Sequence, residues 1–277
     1  MTVRLGTVAV LRRYPVKSLL GEGLAACDVG QRGLAGDRAL ALVHRETGKV
    51  ASAKNPRTWR ALLKLAAVGG PAVQVTFPDG TVMGSTDPGI DAALSGFLGQ
   101  PVTLTAVPPA DAVLDRADPE EVLRHGARAR VHVETGQLGA AAPAGTFFDF
   151  APLHLLTTST LDQIAGLSPR ATVEPERYRP NIVIGTTAAG FPENDWIGRD
   201  LRIGRDLVIR VIARTPRCAI PTLEHGDLPR DPDALRVPAA HNRVSPLDAL
   251  GPQPCAGIYA KVLRPGRVVL GDLASLA

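Results

Sequence analysis

The chain has 277 residues, enough for one large β domain or two smaller ones, and its 45% apolar and 21% charged residues are ordinary for a soluble globular protein. A net charge of only +4, with Lys and Arg spread along the chain rather than massed in a stripe with aromatics, argues against a nucleic-acid binder. No apolar run approaches the roughly 20 residues of a membrane span, the start shows no signal-peptide core, and three cysteines make no disulfide scaffold, so a reducing, cytoplasmic location is expected. Residues 3–11 alternate as a strand, and Tyr14-Pro15-Val16-Lys17-Ser18 breaks the pattern into a loop. A strand around Leu24–Val29 carries Cys27, read as packing. Gly33 to Arg38 is a tight turn before a strand at Ala39–Val43, and Glu46-Thr47-Gly48 suits a hairpin to Val50–Ala53. Asn55-Pro56 resembles a cap and first helical position for a helix over Arg57–Ala66. Ala72–Phe77 and Thr81–Met83 flank a Pro-Asp-Gly turn. Asp87-Pro88 precedes a short helix, Ile90–Leu98, and Val102–Val107 is strand-like.

Residues 108–145 carry the weakest pattern, with a short helix near Pro119–Arg124 and an Ala/Gly/Pro-rich loop after it. The boundary between two halves, 1–115 and 116–277, is placed there. Phe147–Phe150 and Leu153–Leu156 read as strands. Ser159, three residues before Asp162, gives a capping-box-like entry to a helix over Leu161–Leu167. Arg179-Pro180-Asn181 leads into a strand at Ile182–Ile184, and the loop Phe191–Trp196 holds one of two tryptophans. Leu201 to Gly204 turns into the alternation Leu207, Ile209, Val211, Ala213, a half-buried strand that ends in Arg214-Thr215-Pro216-Arg217-Cys218. Stretches from Gly257 to Val262 and from Val268 to Asp272 close the chain as strands. Many short strands and few short helices predict a mainly β, barrel-rich fold.

Pro216 and Pro221 bracket Cys218, and neither can donate to a sheet ladder, so the thiol belongs at a strand end. Two arginines within four residues make its surroundings electropositive and favour thiolate, although an isolated cysteine is most often a small buried hydrophobe. Lys17 and Ser18, Arg38, Arg179 with Asn181, and Arg217 with Cys218 all sit beside Pro or Gly at strand edges. Each alone reads as solvated charge. Converging, they form a cationic cup around one thiol, suited to a phosphate-bearing cofactor with a soft metal centre.

With these segments, Glu193 and Trp196, and the terminal Gly257-Ile258-Tyr259 and Gly271-Asp272, the chain resembles the MOSC family, proteins related to the C-terminal domain of molybdenum cofactor sulfurase. The resemblance implies a MOSC-type β-barrel behind an N-terminal MOSC-associated β-barrel, and, as in the amidoxime-reducing components, a molybdenum cofactor (Mo-molybdopterin). It makes Cys218 the metal ligand and catalytic residue. Lys17, Ser18, Arg38, Arg179, Asn181 and Arg217 would hold phosphate and pterin, with Thr157 and Thr158 adding donors at a helix entry. The implied activity is reduction of small N-hydroxylated compounds. Electrons would come from a separate protein of ferredoxin, flavoprotein or cytochrome type, since three cysteines cannot supply a cluster's usual four. The alternative is a sulfur-carrier or cofactor-delivery protein with a persulfide on Cys218. Glu224-His225-Gly226-Asp227 and Cys255-Ala256 depart from the family's usual residues at those points.

Overall fold

Every second residue from Leu207 to Thr215 is buried, the period-2 pattern that the apolar alternation dictates for a strand with one face in a core. In the computed structural model, which describes residues 3–70 and 72–276, this strand (Leu207–Pro216) is one of seven that close on themselves. Their order is Leu153–Thr157, Ile182–Gly185, Val3–Arg13, Leu273–Leu276, Asp200–Ile203, Leu207–Pro216 and Gln253–Arg264, and the last pairs back with the first. All neighbours are antiparallel except Leu153–Thr157 with Ile182–Gly185. The parallel pair needs a crossover, and the helix Thr158–Gly166 supplies part of it. The fold is therefore mainly β with a few short helices, as expected. Leu155, Ile184, Leu201, Ile209, Ile258 and Leu276 are among the residues filling the barrel's core, and each contributes about 1.5–3 kcal/mol by leaving water.

Val3–Arg13, the first strand of the chain, sits between Ile182–Gly185 and Leu273–Leu276. Its partners approach so closely at Gly6 that a Cβ there would lie 1.6 Å from the Gly185 carbonyl oxygen, so only glycine fits. Leu42, Trp59, Leu62, Val75, Leu94 and Val102 belong to a second core. It lies under the sheet Ala66–Gly69, Val73–Thr76 and Val82–Gly84, the pair Ala41–His44 and Val102–Thr105, and the helix Ile90–Leu98. A further small sheet pairs Gly266–Val269 with Ala26–Gly30, so the C-terminal strands are tied to the N-terminal half twice.

Several local expectations are corrected. The helix expected over Arg57–Ala66 is one α turn, Pro56–Trp59, followed by a 3-10 segment, Arg60–Lys64, and the Asn55 side chain caps nothing. Phe147–Phe150 is not a strand. The helix after it starts at Thr158, because Thr157 rather than Ser159 accepts the capping bond from Thr160 N–H. Several elements were not foreseen, these three among them. Val113–Ala117 and Val133–Gln137 form an antiparallel ribbon, and Asp233–His241 is a helix.

Candidate functional site

Pro216 makes the last pairing of its strand, opposite Cys255, and the chain then leaves the barrel as Arg217 and Cys218. Cys218 is partly exposed, whereas Cys27 and Cys255 are buried. Burial pushes the Cys255 thiol up to about 11, and the Cys27 thiol is also raised by burial. A cavity of about 470 Å³ opens beside Cys218, and Lys17, Ser18, Arg38, Arg179, Asn181 and Arg217 line it. Loops far apart in sequence thus converge on one thiol.

The Asp37 carboxylate organises one wall. It accepts from Tyr14 N–H at 2.7 Å and from Asn181 Nδ2 at 3.0 Å, and it pairs with Arg38. Arg38 Nη2 donates to the Arg179 carbonyl at 3.2 Å. Both guanidinium groups lie over the Tyr14 ring, at 4.8 Å for Arg38 and 4.3 Å for Arg179, in cation–π geometry. Burial and the neighbouring Arg38 lower Arg179 to about 10, so it stays protonated at neutral pH. Its Nη1 donates to the Leu19 carbonyl at 2.6 Å, while its Nη2 is buried without a partner among the described residues.

Arg217 closes the next wall. Nη2 donates to the Tyr178 carbonyl at 3.0 Å, Nη1 lies 3.4 Å from His154 Nε2, and the buried Nε has no partner among the described residues. Burial, then Arg217, holds His154 well below the usual imidazole range, so it is neutral. With Nε2 facing the Arg217 donor, its proton belongs on Nδ1, which lies 3.3 Å from the Arg179 carbonyl. On the opposite side Lys17 Nζ donates to the Phe147 carbonyl at 2.8 Å and to Asp149 at 2.7 Å. Burial lowers Lys17 to about 8 against the pull of Asp149. Burial alone would raise the Asp149 carboxyl, but Lys17 and Lys54 override it and hold it well below the usual carboxylate range. Ser18 Oγ accepts from Ala53 N–H.

Thr157 and Thr158 are not brought to the cavity. Thr157 Oγ1 donates to buried Glu193 at 2.7 Å and caps the helix. Thr158 Oγ1 donates to the Thr186 carbonyl and accepts from its N–H. Arg214, expected to charge the thiol's surroundings, lines the cavity with it and donates to the carbonyls of Ser245 and Asn194. Lys54 also lines the cavity and interacts electrostatically with Cys218; sequence reasoning passed it over, as it did Asp149, His154 and Arg116. Lys54 lies between a hairpin and a Pro-initiated turn, a place where a lysine ordinarily reads as surface charge. Among the described residues no group of three or more His, Cys, Asp or Glu side chains can hold a metal. The cavity offers a metal one thiol, and cations outnumber the two carboxylates, Glu134 and Asp149, in its lining, which suits an anion.

Residues 142–274 match the model of the MOSC domain, and residues 5–95 match that of the MOSC N-terminal β-barrel domain. No curated protein matches the chain. Among solved structures, the YuaD protein from Bacillus subtilis aligns with 100% of this chain and 96% of its own, at 12% identity and a TM-score of 0.46.

Proposed function

The chain belongs to the MOSC family, and from that premise we propose that it is a molybdenum cofactor-binding oxidoreductase that reduces N-hydroxylated compounds with electrons from a separate redox protein. One observation carries the reading. Arg179 Nη2 and Arg217 Nε are buried donors without partners among the described residues, on side chains that line the cavity holding the one partly exposed cysteine. A buried donor left unpaired costs about 1–3 kcal/mol, and an anionic acceptor from outside the chain removes that cost. The residues present therefore fit a phosphate-bearing pterin with a thiol-seeking metal.

In this reading Cys218 offers its thiolate to the metal, while Arg38, Arg179 and Arg217 present guanidinium donors to phosphate and pterin. Lys17, Ser18 and Asn181 complete the cup. When bound, the cofactor supplies the two-electron removal of oxygen, R–NHOH + 2 e⁻ + 2 H⁺ giving R–NH₂ + H₂O. The protein's part is to bind and orient. Asp37 fixes Arg38 and Asn181, and the buried Tyr14 ring backs both arginines. The electrons come from outside the chain, since no Gly-x-Gly-x-x-Gly run follows a strand to bind a dinucleotide.

The test is metal analysis and turnover of protein purified from a host that makes the cofactor. Stoichiometric molybdenum and reduction of benzamidoxime with reduced methyl viologen are expected, with no turnover on NADH alone. Cys218→Ser should bring activity to background with the fold intact. Cys27→Ala should cost only stability, on the order of 1–2 kcal/mol. A folded Cys218→Ser variant that still reduces benzamidoxime would sink the assignment. Protein without molybdenum but with cyanide-labile sulfur lost in Cys218→Ser would favour the sulfur carrier.

A further inference from the structure

Apart from Arg214, which the Ser245 and Asn194 carbonyls hold, two charged clusters line the cavity, and the cup just described uses only one with Lys17 beside it. Arg38, Arg179 and Arg217 are joined through Asn181, His154 and backbone carbonyls. The second group is Lys54, Arg116 and Asp149, with no hydrogen bond to the first among the described residues apart from the shared ion pair of Lys17. Lys54 is 6% exposed. Its ammonium reaches Asp149 at 2.9 Å and no other partner among the described residues, whereas Lys17 spends a further donor on the Phe147 carbonyl. Two buried lysines therefore share one carboxylate, leaving a net positive charge with spare donors at the wall.

Arg116 adds to it. The Ala117 N–H donates to the Lys54 carbonyl at 3.0 Å, which docks the Val113–Ala117 strand on the Lys54 loop and sets Arg116 beside it. Arg116 lines the cavity and makes no hydrogen bond or ion pair among the described residues. Glu134 is exposed, stands opposite Arg116 on the neighbouring strand without an ion pair to it among the described residues, and lies 3.7 Å from His132. Cys218 and an aromatic pair line the same cavity, with the Phe150 and Tyr259 rings 5.3 Å apart.

A buried lysine is expensive where only packing is at stake, because desolvation disfavours its charge. An unpartnered arginine beside it has no structural duty. We infer that Lys54 and Arg116 form a subsite for a negatively charged group on the substrate, a carboxylate in the simplest case, with the substrate's planar body against Phe150 and Tyr259. The inference rests on the reductase reading for the N–OH end of that substrate, and it names the class: N-hydroxylated compounds that also carry an anionic group. A charge-assisted contact in a half-buried site gives at least tenfold in affinity.

The experiment is equilibrium calorimetry on full-length protein from a cofactor-competent host, with benzamidoxime, 4-carboxybenzamidoxime and its methyl ester as probes. The carboxylated probe should bind at least tenfold tighter than the other two. The ratio should fall toward one in Arg116→Ala, an exposed position whose loss leaves the fold untouched, and in Lys54→Met. It should persist in Arg179→Lys, which belongs to the other group. Equal affinities for the three probes overturn the inference, as does a preference that Arg179→Lys removes and Arg116→Ala does not. The ratio is read without turnover, so a preparation lacking reductase activity defeats the reductase reading while this measurement still decides the subsite.

Discussion

At the residue scale the site is marked by strain. Among the described residues five non-glycine residues have positive φ, and three of them, Ser18 (64°), Arg38 (46°) and Arg179 (57°), line the cavity. A side chain held in this region costs on the order of 1–3 kcal/mol, so the surrounding bonds must over-determine it, as Arg38 N–H to the Tyr14 carbonyl at 2.8 Å does. Both strained arginines line the cavity, where Asp37 pairs with Arg38 and Arg179 Nη2 is left, among the described residues, for an incoming anion. Arg179→Lys keeps the backbone and the charge but loses the paired donors. The variant should therefore fold normally and lose about one to two decades in cofactor affinity, read as molybdopterin content after gel filtration. Arg38→Ala and Lys17→Ala should fall at least as far. Unchanged content in all three returns these residues to simple surface-type charge. These residues were legible in the sequence because each sits beside Pro or Gly at a strand edge. Lys54 and Asp149 were not: their significance is an ion pair across the chain, and neither has a local pattern to give it away.

At the scale of elements, what fixes the Cys218 loop is a buried ion network. Fully buried Arg177 pairs with Glu174 and donates to the Leu223 and Pro229 carbonyls at 3.2 and 2.8 Å. Arg170 bridges Glu174 and Asp231. The segment from Leu223 to Asp231, which follows the cysteine, is thereby tied to the 3-10 turn Pro175–Arg177. Burial alone would raise Glu174, but its bonds from Arg170 and Arg177 bring it from 4.5 down to about 2. A folded-state pKa below the unfolded one stabilises above the unfolded value and is lost as pH falls through the folded one. Thermal midpoints should thus drop between about pH 4.5 and about 2. Glu174→Gln should flatten that part of the profile and lower the midpoint at pH 7; an unaltered slope would remove Glu174 from the account. Barrel strands with clean alternation were legible. The helix Asp233–His241 was hidden by Pro232 ahead of it and Pro238 inside it. The strand Val133–Gln137 was hidden because it is exposed along its whole length and carries no period-2 signal.

At the scale of the molecule, the two halves share their framework. Composition and strand count revealed a β-barrel, but no local pattern tells a strand which sheet it will join, and Val3–Arg13 joins the barrel built from the far end of the chain. A fragment of residues 116–277 would retain six of the seven barrel strands. Without Val3–Arg13, both Ile182–Gly185 and Leu273–Leu276 become open edges with unpaired backbone groups, which are templates for aggregation. Gly266–Val269 would also lose its partner Ala26–Gly30. The cavity would be halved as well, since Lys17, Ser18, Arg38 and Lys54 come from the first 115 residues and Arg179, Asn181, Arg217 and Cys218 from the rest. The fragment 116–277 should therefore show no cooperative thermal transition by circular dichroism and retain no cofactor, while co-expression with 1–115 should restore both. A monomeric fragment that melts cooperatively on its own would show that barrel closure through Val3–Arg13 is dispensable, and that the cavity's two halves are less interdependent than their shared strands imply.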